Sequence, residues 1–153
     1  MLIVNHPPPV PRRSMTALVL LLVLSSFAAA VQVGNAQAQE VPSTSCGNWV
    51  DHLRQHGFSV AVRSMEDPDP VKVTYGIPPA LASCHTALVE GYVIEGHVPA
   101  PDIRRLPDQR PAARGLAVPG VPAGKPGMES GGREPYDVLI FDASGTTQVF
   151  AKY

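Results

Sequence analysis

"LASCHTALVEGYVIEGHVPA", Leu81 to Ala100, decides how this chain is built. "TALVEGYVIEGHV" is rich in β-branched residues and broken by glycines, so it reads as one or two strands. Cys84 and His85 stand just before it, and His97 closes it. Neighbouring residues in a strand point to opposite sides, so Cys84 and His85 can reach one ion only from a turn. Thiolate and imidazole together select soft metals such as Cu(I). The same residues also fit a bland reading, half of a disulfide with two ordinary histidines beside it.

Toward the N-terminus, "VKVTYGIPPALASC" reads as a short helix broken at "GIPP", and "EDPDP" as a turn. "FSVAVRSM" alternates and reads as a strand. "CGNWVDHLRQHGF" carries Trp49, Val50, Leu53 and His56 at helical spacing, with Gly57 as a natural stop. Ser45 would cap this helix and place Cys46 in its first turn. A further strand is expected before it, near "EVPST". His52 and His56, four apart, allow a shared metal, but one half-buried and one solvent-facing histidine is the reading preferred.

Toward the C-terminus, "APDIRRL" suggests a short helix. "PDQRPAARGLAVPGVPAGKPGMESGGREP" is dense in proline and glycine, and we expect an ordered loop there with no long helix and no central strand. Met128 lies in it, where an exposed thioether serves more often as a ligand or contact than as core filler. "YDVLIFDASGTTQVFAKY" reads as a hairpin turning at "ASG". The expected architecture is α/β, a small mixed sheet covered by helices and ending in a β-hairpin.

Arg12 and Arg13 precede the apolar run Ala17 to Val31, and Ala36 and Ala38 supply an A-x-A site. Residues 1–38 therefore read as a cleaved secretory signal and residues 39–153 as one exported domain. The run is shorter than the roughly 20 residues a membrane span needs. Loss of the two arginines moves the formal net charge from −1 to −3. That balance gives no reason to expect nucleic acid or an anionic membrane as partner. In an exported chain with two cysteines, Cys46 and Cys84, a disulfide is the default. No phosphate loop, H-E-x-x-H or G-x-S-x-G is present, and Glu90 and Glu95 do not form an acid–base pair, so nothing here marks a hydrolase.

Taken together, "CGNWVDHLRQHGFSV", "YGIPPALASCHTALVEGYVIEGHVPAPDIRRL", "GLAVPGVPAGKPGMESG" and "YDVLIFDASG" resemble the periplasmic metal-binding proteins of the CopG type, connected with copper resistance. The resemblance runs from about Ser43 to Tyr153. It implies a thioredoxin-like sandwich, a periplasmic location, and copper held through cysteine sulfur, with a redox role also suggested. It further implies a metal ion as partner, and a second periplasmic copper protein as a candidate. Cys46, Cys84, His85, His97 and Met128 match the family pattern in place. The family's C-x-C-C before G-x-W is here "STSCGNW", so Ser43 and Ser45 stand where cysteines are usual, and Val121 where methionine is common. Two cysteines are too few to bridge a multinuclear cluster, so the expectation is one Cu(I), or a pair of ions. The alternatives are a cycling Cys46–Cys84 thiol–disulfide pair, or a disulfide-stapled module that has lost its metal.

Overall fold

The computed structural model describes residues 2–5, 44–120 and 122–153. Most of the expected export signal, with "EVPS", Ser43 and Val121, lies outside these.

Helix α1, Thr44–Gln55, buries Trp49, Val50 and Leu53 completely, the one-sided spacing the sequence predicts. His56 does not share that face and is exposed. Ser45 lies inside the helix and so does not cap it, while Cys46 does fall in the first turn. The helix ends where Gly57 takes a positive φ of 79°. The Gly57 N–H then bonds the Arg54 carbonyl, and the Phe58 N–H bonds the Leu53 carbonyl, which satisfies two end carbonyls at once.

Strand β2, Ser59–Val62, follows, then helix α2, Asp69–Thr74, and a 3-10 turn at Pro79–Leu81. Strands β3, Thr86–Val89, and β4, Tyr92–Glu95, make a hairpin, so "TALVEGYVIEG" is two strands. Its two-residue turn puts both Glu90 and Gly91 at positive φ, the twist that suits tight hairpins. Helix α3, Ala100–Gln109, is longer than "APDIRRL" and buries Ile103 and Leu106. Strands β6, Asp137–Phe141, and β7, Thr147–Lys152, form the terminal hairpin.

The expectation for the loop also fails. The proline- and glycine-rich stretch does hold a central strand, β5, Gly115–Ala117, which pairs in parallel with β4 and antiparallel with β6. Prolines bar a ladder only where they sit in it. Here they flank "GLA", and three residues suffice.

Strand β1 is Leu2–Asn5, which pairs antiparallel with β2 and parallel with β3. The sheet order is β2-β1-β3-β4-β5-β6-β7. One cluster packs Trp49, Leu53, Ile103 and Leu106 against Ala87 and Ile94. A second packs Ile77 and Leu81 against Val93, Ala117 and Phe141. Val93 and Ile94 belong to different clusters, as strand alternation requires, so both sides of the sheet are covered. This is the mixed α/β sheet, with covering helices, that the sequence calls for. Among the described residues no helix is long and apolar enough to cross a membrane.

Candidate metal centre

Four elements deliver the site. Cys46 comes from the first turn of α1, half-buried. Cys84 ends the loop after the 3-10 turn and is exposed. His85 sits just before β3 and His97 two residues after β4, both buried.

The His85 Nδ1 lies 3.2 Å from Cys84 Sγ and 3.5 Å from Cys46 Sγ. The ligand atoms of Cys46, Cys84 and His85 all lie within 4.8 Å of one another. His97 joins through its Nε2, 3.4 Å from Cys84 Sγ. Its Nδ1–H donates to the Pro126 carbonyl at 2.7 Å, which leaves the Nε2 lone pair facing the sulfur. A sulfur and a nitrogen bound at about 2.3 and 2.0 Å to one tetrahedral ion stand about 3.5 Å apart. The donors present therefore fit a metal ion in both spacing and chemistry. Neither cysteine is in a disulfide, so the expected Cys46–Cys84 bridge is not formed.

Met128 is placed differently. Its backbone exchanges bonds with Gly124 and Lys125, in the loop that also carries Pro126. Among the described residues its thioether makes no hydrogen bond to the cluster. His52 is half-buried and His56 exposed, the preferred reading of the pair: His52 Nε2 accepts the Ala100 N–H at 3.2 Å and His56 Nδ1–H donates to the His52 carbonyl at 2.8 Å.

Trp49, three residues after Cys46 on α1, braces the imidazoles. Its ring lies 4.4 Å from that of His85, and its Nε1–H donates to the Val98 carbonyl at 2.9 Å. Beneath the cysteine loop is a buried ion pair. Glu95 Oε1 accepts from Lys72 Nζ and from the Ser83 N–H, each at 2.5 Å, and Oε2 accepts from Thr86 Oγ1 at 2.7 Å. Glu95 thereby fixes the backbone immediately before Cys84. Gly96, at φ 72°, completes the close packing, since a Cβ there would meet the Val118 carbonyl at 2.7 Å and Ser83 Oγ at 2.9 Å. Apart from Trp49, none of this shell stands out by spacing. Trp49 had a signal, because helical periodicity puts it on the Cys46 side of α1.

The neighbouring Cys46 sulfur, and then burial, push the Cys84 thiol up from its ordinary range. Burial first, with His85 and Lys125 adding to it, pushes His97 down to about 4. At neutral pH His97 is thus a neutral donor, and Cys84 keeps its proton until a cation displaces it.

Two solved structures of copper resistance protein CopG, Form 1 and Form 2, superpose on this chain with a TM-score of 0.71 and 31% identity. The matches cover 99% of this chain and 95% and 96% of those chains. The chain belongs to the CopG family. The model of the family described as "Protein of unknown function, DUF411" matches residues 81–128, from the Cys84 loop through Met128. No curated protein shows significant similarity to the sequence. The CopG-type resemblance read from the motifs is therefore upheld over nearly the whole length.

Proposed function

We propose that this chain is an exported copper-binding protein that holds Cu(I) through Cys46, Cys84 and His85, with His97 and Met128 as further ligands. The observation that carries the reading is the convergence of two thiol sulfurs and an imidazole nitrogen within 4.8 Å. Support comes also from the family, whose solved members are named for copper resistance. Soft sulfur with neutral imidazole favours Cu(I) over hard cations. Copper is cargo in this reading, and the chain's own contribution is a braced pair of thiols, Cys46 half-buried and Cys84 exposed. The N-terminal pattern of arginines, apolar run and A-x-A supports export, and with it a periplasmic location.

The test is a Cu(I) competition titration of reduced protein under anaerobic conditions. About one copper per chain is expected, lost in Cys46→Ser and in Cys84→Ser. No competitive binding by the reduced chain would overturn the reading. The second reading, a cycling dithiol, draws on the same two cysteines, neighbouring and not joined in a disulfide, with Cys46 at a helix start. A reversible Cys46–Cys84 disulfide with a potential near those of redox catalysts, in a chain that takes up no copper, would favour it.

A further inference from the structure

Lys125 is fully buried, at 0% exposure. An ammonium goes inside a protein only against compensating charge or hydrogen bonds. Among the described residues the ion pairs are Arg54–Asp51, Lys72–Glu95 and Arg105–Asp102, and Lys125 belongs to none of them. Its Nζ donates to the Gly120 carbonyl at 3.0 Å. That carbonyl also accepts from Ser83 Oγ at 3.4 Å, and the same hydroxyl faces Cys84 Sγ at 3.9 Å. The next residue, Pro126, supplies the carbonyl that orients His97. Lys125 is therefore tied to the Cys84 loop through a carbonyl shared with Ser83, and its neighbour Pro126 to His97. Burial works against its charge, and the groups that work for it are Cys84 and Cys46.

We propose that Lys125 is the fixed counter-charge of the Cys46–Cys84 centre and makes it select singly charged soft cations over doubly charged ones. The inference rests on the metal-binding reading and deepens it. Two thiolates, one ammonium and one monovalent ion sum to zero. A divalent ion in the same place leaves an uncompensated positive charge under partial burial, where charge is costly. Thiolates alone accept both kinds of ion, so the donor atoms do not make this distinction and the lysine does.

The experiment uses reduced chain at constant pH, with Ag(I) as a monovalent probe that does not change oxidation state and Zn(II) as the divalent probe. Each affinity is measured by chelator competition. Lys125→Met is expected to lower the Ag(I)-to-Zn(II) affinity ratio about tenfold or more, and Lys125→Arg to preserve it. Circular dichroism checks folding, and Lys125→Gln replaces Lys125→Met if the latter does not fold. An unchanged ratio in the folded neutral variant, with both ions bound by the native chain, overturns the counter-charge and leaves the metal centre standing. A native chain that takes up neither ion overturns both.

Discussion

Glu95 meets three donors at once, and only one of them is charged. Removing it as Glu95→Ala strands the Lys72 ammonium in the interior, which costs about 3–5 kcal/mol when a buried pair is broken from one side. Replacing both partners, Lys72→Met with Glu95→Leu, should recover most of that loss, because matched apolar side chains carry no desolvation penalty. Copper affinity should not recover with it, because the Ser83 N–H has still lost its acceptor and the Cys84 backbone its anchor. Urea midpoints and Cu(I) competition, run on the same samples, separate the two effects. A double variant that regains both stability and affinity would show that Glu95 does not position the cysteine. Neither Glu95 nor Lys125 was legible as part of the site in the sequence. Each is a single charge in an apolar or glycine-rich run; Glu95 is defined by Lys72, 23 residues away, and Lys125 by a bond to the Gly120 carbonyl that no spacing announces. Cys84, His85 and His97 were legible because a strand pair separates them by a fixed, short path.

At the scale of elements, the join between α1 and α3 turns on one imidazole. His52 accepts the first N–H of α3, that of Ala100, at 3.2 Å. Pro99, the residue before that helix, gives no side-chain cap, so His52 supplies what the local sequence lacks. Burial first, then the neighbouring His56, holds the His52 pKa below its ordinary 6.5, while Glu129 works the other way. The unfolded chain therefore binds this proton more readily than the folded one. Its contribution is complete above about pH 6.5 and is lost as the pH falls through the lowered value. Urea unfolding at pH 7.5 and 5.5 should show a drop in stability on acidification, and His52→Leu should reduce that drop while costing about 1 kcal/mol at pH 7.5. An equal drop in the variant removes His52 as its source. The elements themselves were largely readable: α1 from its apolar spacing, β3–β4 from β-branched runs around Glu90-Gly91, and the last hairpin from alternation around "ASG". Strand β5 was not, because a three-residue strand takes its place from its neighbours' ladders and not from its own composition.

For the whole molecule the question is what the first residues contribute. Leu2–Asn5 stand between β2 and β3 and are the sheet partner of β2. Export processing after Ala38 would remove them, whereas the ligands Cys46, Cys84 and His85 lie beyond that point. A chain beginning at Gln39 should therefore keep the sheet from β3 to β7, with α1 held over it by Trp49 and Leu53, and should bind copper as the full chain does. Strand β2 is the element at risk. Among the described residues it pairs with no other strand, and a strand without a ladder returns its backbone groups to water. Hydrogen exchange on the chain from Gln39 should show Ser59–Val62 losing protection while Thr86–Glu95 and Asp137–Lys152 keep theirs. Loss of protection across all six remaining strand segments, β2 to β7, would make β1 essential to the fold, and would count against cleavage after Ala38. Full protection of Ser59–Val62 would mean that a segment between Gln39 and α1 fills the slot, where "EVPST" carries the sequence's own strand expectation. The two results also differ in their consequence for the metal. A refilled slot runs directly into Thr44 and the first turn of α1, so it would tie the position of Cys46 to the sheet. An empty slot leaves Cys46 held only through the helix.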